Sequence, residues 1–348
     1  MYDIDKEGLP FYKEKYIEMR QSLQEELQTD FAPRCESNIK LVHLLQRLNL
    51  YKRAEKVFHC GTYLSLAVPL DLSEKPFLIH ANFCRDRLCS MCGWRRSLKV
   101  FSQVSRVMDE IHDDYHFIFV TLTLRNVPSG KLTEALDHLS EAFNLFMTYS
   151  KVRKSFKGCF KAVEITRSKT LTDLEWHPHL HIIFAVDKLH YFDGREYITQ
   201  RELCELWQRA LKEDYAPIVD IRRVRKKETN KNPKDGSVNY VSAVAEVAKY
   251  TIKSNDIFRG SEESQLDSVV TLSQALRGRR LCSFCGIFKE TAKKLKLQDL
   301  EDGDLTDEDK LRPDIHYMVI NASWQVGIGY TFHPDKEIYT GLKRRKAK

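Results

Sequence analysis

The 348-residue chain has no apolar run long enough to cross a bilayer, for which about 20 apolar residues are needed. Its opening stretch, MYDIDKEGLPFYKEKY, is charged where a secretory signal is greasy. The expectation is therefore a soluble, cytoplasmic protein with no membrane partner. No GxxxxGK[ST] phosphate loop occurs, which sets aside a P-loop ATPase. No internal repeat or low-complexity tract is visible, which sets aside solenoids. One-signed charge is also scarce: 56 Lys and Arg face 49 Asp and Glu, a net +7. So mild an excess implies a polyanionic partner only where the basic residues cluster. They do cluster, as Arg222, Arg223, Arg225, Lys226, Lys227, Lys231 and Lys234, and again as Lys343, Arg344, Arg345, Lys346 and Lys348. The second group reads equally as a solvated tail. With 42% hydrophobic residues the chain can build one large domain or two modest ones.

Nine cysteines without a secretory signal point to a reducing compartment, and so to metal rather than disulfides. Cys60 followed by Cys84-x4-Cys89-x2-Cys92 supplies four thiolates for a tetrahedral structural zinc site. His59 or His80 are alternatives to Cys60. The pair Cys282 and Cys285 either completes that site in place of Cys60 or consists of reduced structural cysteines. Cys35, Cys159 and Cys204 stand alone and read as packing residues. The aromatic and basic turn Trp94-Arg95-Arg96 either grips DNA or covers the cysteine knuckle.

The most informative stretch is Trp176-His177-Pro178-His179-Leu180-His181, which runs into Ile182-Ile183-Phe184-Ala185-Val186. On a strand, His179 and His181 share one face while Leu180, Ile182 and Phe184 face a core. Two imidazoles side by side on a rigid support suit a divalent metal. The preceding strand, Lys161 to Thr166, is joined to it by a polar loop. An antiparallel hairpin would set Glu164 opposite His179 or His181. Two imidazoles and a carboxylate fit Mg²⁺ or Mn²⁺, with Zn²⁺ also possible. Val238 to Lys253 reads as a helix, rich in Ala and Val and free of Gly and Pro. Glu246 and Tyr250, four apart, lie on one face of it. Tyr240 falls on a nearby face and competes with Tyr250 as a nucleophile.

These segments, with the strand Phe117 to Leu124 before them, occur in the order of three motifs that resemble HUH-type rolling-circle replication initiators. The chain is similar to the plasmid Rep proteins of Gram-positive bacteria whose active helix carries Glu-x-x-x-Tyr. The resemblance runs from about Phe58 to Lys253. It implies that Glu164, His179 and His181 hold Mn or Mg, that Tyr250 is the nicking nucleophile and that Glu246 directs water in termination. His177 is then a support behind the ligands or a DNA contact. The family carries cysteines matching those of the zinc site, with Ser90 standing here where a proline is common. Origin DNA, a supercoiled duplex with an extruded single-stranded loop, is the implied partner. Arg222, Arg223, Arg225, Lys226, Lys227, Lys249 and Lys253 are placed to bind its backbone. Strand opening falls to a host helicase or to supercoiling, and a homo-oligomer is a further expectation. A relaxase or transposase, or a zinc-containing DNA-binding regulator without catalysis, are the alternatives.

The fold expected is α+β: a central antiparallel sheet of the HUH endonuclease type with helices on one face, a small cysteine-rich zinc module and mainly helical flanks. The stripes Leu132, Leu136, Leu139, Phe143, Phe146 and Leu203, Leu206, Trp207, Ala210, Leu211 predict two helices covering one face, which leaves the other to metal and DNA. Leu41, Leu44, Leu45 and Leu48 mark a third helix. The segmentation reads 1–57 helical, 58–100 cysteine module, 101–260 nickase domain and 261–348 a C-terminal region of unclear role. Within the last, residues 299–309 are acidic and read as a solvated loop, and Tyr317 to Ile320 and Trp324 to Tyr330 read as strands.

Overall fold

A computed structural model describes residues 10–168, 175–225, 238–249, 254–334 and 338–339. In chain order the elements are α1 (Pro10–Glu26), α2 (Ala32–Arg47), α3 (Tyr51–Phe58), β1 (Tyr63–Pro69), β2 (Phe77–Ala81) and α4 (Ser90–Ile111). Next come β3 (Tyr115–Thr123), β4 (Val127–Pro128), α5 (Leu132–Thr148), α6 (Ser150–Ser155), β5 (Phe156–Arg167) and β6 (Glu175–Asp187). They are followed by α7 (Gln200–Leu211), β7 (Val219–Arg225), β8 (Val238–Asn239), α8 (Tyr240–Val247), α9 (Ser254–Ile257) and α10 (Glu262–Ala275). The last are β9 (Cys282–Gly286), α11 (Ile287–Lys294), β10 (Tyr317–Gln325), β11 (Gly329–Phe332) and β12 (Ile338–Tyr339). Among the described residues no helix is long and apolar enough to cross a membrane.

Two compact units result: Met1–Arg95 with Asp304–Lys348, and Arg96–Gly303. In the first, the sheet order is β11-β10-β1-β2, with β12 also on β10. Leu64, Leu66, Val68, Ile320 and Ala322 lie with Leu23 of α1, Cys35 of α2 and Leu27 of the helical turn between them in one apolar cluster. Antiparallel pairing of β1 with β10 therefore regroups the segments drawn from sequence. The helical 1–57 and the cysteine-bearing stretch share a unit with the end of the chain, while the first part of 261–348 joins the other unit through β9 and β5.

In the second unit the sheet runs β8-β7-β3-β6-β5-β9, with β4 also on β6. Its pairings are antiparallel except for the short parallel contact of β8 with β7. Leu180, Ile182 and Phe184 of β6 lie with Ile118, Val120 and Leu122 of β3 under α5 and α7, as the two helical stripes predict. α7 begins with a reciprocal cap, in which the Thr199 side chain accepts from the Glu202 N–H and the Glu202 carboxylate accepts from the Thr199 N–H. The expectation of helices on one face alone needs correcting. Phe117, Phe119, Phe160, Ile183 and Ala185 form a second apolar surface on the opposite face, and α4, α8 and α11 cover it. Both parities of β3 and β6 are apolar over this stretch, and both demand burial.

The acidic stretch 299–309 is likewise not a solvated loop. In the second unit Leu300 and Glu301 are buried, and the Glu301 carboxylate accepts from the N–H groups of Leu281 and Cys282 at 2.9 and 3.0 Å. In the first, Leu305 and Thr306 are buried and Asp307 accepts from Arg95 at 2.8 Å. Backbone donors and a buried guanidinium recruit these carboxylates, because neither can be left unsatisfied away from water.

Candidate active site and metal centres

The β5–β6 hairpin sets Glu164 directly opposite His179, with His181 two residues on and on the same face. The three are buried. Oε2 of Glu164 lies 3.1 Å from Nε2 of His179 and 2.6 Å from Nε2 of His181, and the two imidazole nitrogens are 3.1 Å apart. Mutually adjacent ligands of a six-coordinate ion at about 2.1 Å are spaced about 3 Å from each other, so the three atoms fit such an ion. Three protein ligands leave positions for water or a phosphate oxygen.

Each ring is oriented from behind. With Nε2 turned to the cluster, Nδ1–H of His179 donates to the His177 carbonyl at 3.1 Å, and Nδ1–H of His181 donates to Oγ1 of Thr121 at 3.2 Å. The Phe119 ring stacks on His181 at 5.5 Å. Burial works against ionisation of Glu164, yet the hydrogen bonds and charges of His179 and His181 outweigh it and hold the carboxyl well below the usual range. Burial, assisted by His179, pushes the His177 imidazole below its ordinary value. Its ring stands 5.1 Å from that of His179, outside the three-residue cluster.

α8 brings a second carboxylate. Ala243, Val244 and Val247 are buried on the apolar face that also holds Ile183 and Ala185, which turns Glu246 toward the histidines. Its Oε1 lies 3.9 Å from Nε2 of His181, and its other oxygen is paired with Nζ of Lys249. The helix expected from Val238 to Lys253 is shorter, because Val238 and Asn239 are in β8 and the last helical residue is Val247. A turn follows, closed by the Lys249 N–H on the Glu246 carbonyl at 3.4 Å. Tyr250, Lys253, Lys226 and Lys227 lie outside the described residues. Tyr240 is engaged elsewhere: its hydroxyl is 2.9 Å from the Ser105 carbonyl and 2.9 Å from Oδ1 of Asp109, both on α4. Burial and the Asp109 carboxylate raise its pKa, so the phenol keeps its proton.

Strand alternation divides the described part of the basic run. Arg222 lies on the metal-bearing face, with its Nε 2.8 Å from Oδ2 of Asp220. Asp220 is opposite Thr121, itself opposite His181. Arg223 faces the other way, 4.3 Å over the Phe192 ring, and Arg225 shares that parity.

In the first unit Cys60, Cys84, Cys89 and Cys92 converge. Their sulfurs are 3.4 Å (Cys60–Cys92), 3.5 Å (Cys60–Cys89) and 3.8 Å (Cys84–Cys92) apart. A tetrahedron with Zn–S of about 2.3 Å has edges of about 3.8 Å, so the cluster fits zinc. Backbone N–H groups point at the sulfurs, from Cys84 to Cys60 at 3.4 Å and from Arg85 to Cys92 at 3.1 Å, and the Asn38 amide donates to Cys89 at 3.2 Å. The Arg53 guanidinium grips Asp86 at 2.6 and 3.0 Å, which fixes the loop between the ligands. Cys282 and Cys285 do not join this cluster. They lie on β9, with Cys285 opposite Cys159 of β5, which leaves Cys60 as the fourth member. Cys35 is next door, but burial pushes its thiol up to about 12 and it bonds to Tyr330 instead. Trp94 packs edge-on against Phe31 at 4.7 Å, with the Arg34 guanidinium 4.0 Å over its ring.

Thr121 and Asn38 escaped the sequence reading, since a hydroxyl on a strand or an amide on a helix carries no spacing signal.

Comparison with known proteins adds to this geometry. Residues 75–328 match the family Rep_1, described as replication protein. A "Protein rep" of a Bacillus species is 40% identical over 286 residues, covering 80% of this chain and 91% of that protein. The "Protein rep" of Bacillus amyloliquefaciens is 39% identical over 263 residues, 73% of this chain and 76% of that one. That of Streptococcus pneumoniae is 35% identical over 274 residues, 77% and 80% respectively. No solved structure matches the chain.

Proposed function

The chain belongs to the Rep_1 replication protein family, and from that premise we propose that it starts rolling-circle replication of a plasmid by nicking one strand of the origin. The observation that carries this reading is the convergence of Glu164, His179 and His181 with Glu246, 3.9 Å from His181, on the helix that leads to Tyr250. A divalent cation held by the first three would polarise the scissile phosphate and stabilise the charge that builds on it.

In the proposed reaction the Tyr250 phenol oxygen attacks the phosphorus of an exposed single strand and gives up its proton. The P–O3′ bond breaks, the 3′ oxygen takes a proton, and Tyr250 is left esterified to the 5′ phosphate. The freed 3′ hydroxyl primes synthesis. Glu246 then accepts a proton from water that attacks the phosphodiester of the regenerated origin; the P–O3′ bond breaks and the 3′ oxygen takes a proton. The new 3′ hydroxyl attacks the phosphate on Tyr250, which leaves as the phenol and closes the circle, so Glu246 stands in for a second tyrosine. Arg222 and Lys249 stand beside this site and would pair with backbone phosphates. Strand opening is left to supercoiling or a separate helicase, since no phosphate loop is present. We assign the four cysteines to structural zinc, which braces the unit that carries them.

The test uses supercoiled plasmid carrying the replicon, with purified protein and Mn²⁺, with and without EDTA, alongside Tyr250→Phe and His179→Ala. The expected result is metal-dependent nicking with protein joined to a 5′ end, lost in both variants. Origin binding without nicking under any metal would overturn the reading and favour a zinc-containing DNA-binding regulator.

A further inference from the structure

On the sheet face that packs against α5, opposite the one that bears the histidines, lies a cavity of about 300 Å³. Its walls are Leu136 and Leu139 of α5, Val163 and Leu180 of the sheet, and Leu281 before β9. Lys161 projects into it from β5, a strand hydrogen-bonded on both sides, by β6 and by β9. Such a place ordinarily takes an apolar side chain, because removing an ammonium from water is costly unless an anion meets it. The Lys161 Nζ instead stands 4.3 Å over the Phe143 ring. Among the described residues the titratable groups that act on it are the thiols of Cys159 and Cys285, and no carboxylate is among them. Burial pushes its ammonium below the ordinary lysine range.

The other cations at the cavity are already answered. Arg279 is paired with Asp137 at 2.6 Å, and Arg280 with Asp299 at 2.7 Å, with Glu301 acting on it as well. The charge left to be met is the single one on Lys161, in a chamber lined by Leu136, Leu139, Val163, Leu180 and Leu281 and, among polar groups, by Ser140 and Ser283. We propose that this cavity binds a small organic molecule with one oxyanion, a carboxylate or a phosphodiester, on an apolar body, the oxyanion meeting Lys161 and the body lying against the leucines. A dianion would leave a surplus negative charge in a low-dielectric pocket, and a neutral ligand would leave Lys161 unanswered. Neither the metal cluster nor Glu246 takes part, so the site stands apart from the nicking chemistry.

The two sources of such a head group are separated by probe. Octanoate supplies a carboxylate on an alkyl chain, and cyclic AMP a singly charged phosphodiester on a base and sugar; octanol and adenosine are their uncharged counterparts. Calorimetry on the full chain, without DNA or added metal, is expected to show one anion bound and its uncharged counterpart weaker by more than about tenfold. Lys161→Met, which keeps the stem and drops the charge, is expected to abolish that preference and to raise the melting temperature of the ligand-free protein. Thermal unfolding also shows whether the variant is folded. Absence of binding by both anions, equal binding of charged and uncharged probes, or unchanged binding in Lys161→Met would each overturn the proposal, whatever the outcome of the nicking experiment.

Discussion

Thr121 and the carbonyl of His177 decide which nitrogen each imidazole offers, and neither touches the place where a metal would sit. Replacing Thr121 with valine keeps the shape and removes the hydroxyl oxygen that accepts from Nδ1 of His181. Supports of this kind are worth about 10- to 100-fold in metal affinity. Thr121→Val is therefore expected to weaken Mn²⁺ binding, read by calorimetry, by about tenfold or more, with secondary structure unchanged; an unaltered affinity would remove Thr121 from the site. The proposed reaction gives Glu246 a separate role. In Glu246→Gln the covalent joining to Tyr250 should persist while hydrolysis of a second origin falls by about 10²- to 10⁴-fold, so the adduct accumulates on gels; equal loss of both steps would deny Glu246 its distinct role. The His-x-His pair and Glu164 were legible because a strand has period two, and a hairpin then gives only two choices of partner. Thr121 was not, because a threonine on a strand has the same spacing whether it orients a ligand or merely packs.

At the scale of elements, α5, β6 and α7 were legible because their apolar periodicity is strong and their burial follows it. The second covered face was not, since Phe117-Ile118-Phe119-Val120 is apolar at both parities and cannot say whether one face or two is roofed. α8 shows the same limit: composition promised a helix from Val238, but Val238 and Asn239 pair with β7 as β8 and the last helical residue is Val247. What docks α8 is a tertiary contact from its first residue, the Tyr240 hydroxyl on Ser105 and Asp109 of α4. A hydrogen bond of this type contributes about 1 kcal/mol, somewhat more to a charged acceptor. Tyr240→Phe should thus lower stability in urea by about 1 kcal/mol and slow nicking by loosening Glu246, while the 5′ adduct still forms. Loss of the adduct in Tyr240→Phe, with Tyr250→Phe still forming it, would make Tyr240 the nucleophile.

For the whole molecule, the grouping of α1 to α3 with the end of the chain depends on pairs such as Ser65 and Asn321, 256 positions apart. Local pattern carries no signal for such pairing, so sequence alone places boundaries at 57, 100 and 260. The cysteine cluster sits inside that long-range assembly. Cys60 follows α3, Cys84 and Cys89 come from the loop after β2, and Cys92 lies in the first turn of α4, all in one apolar cluster with β1 and β10. Structural zinc is worth about 10–16 kcal/mol of apparent folding free energy, as much as the whole stability of a typical domain, about 5–15 kcal/mol. Loss of zinc should therefore unfold the unit built on these strands. The purified chain is expected to carry one equivalent of zinc by elemental analysis, reduced to none in Cys89→Ser. In hydrogen exchange on the full chain, a zinc chelator should deprotect β1, β2 and β10 by orders of magnitude while β3, β5 and β6, which hold their own core, keep their protection. Absence of zinc, or exchange that rises equally in both sets of strands, would show that the four thiols do not hold this unit together through a metal.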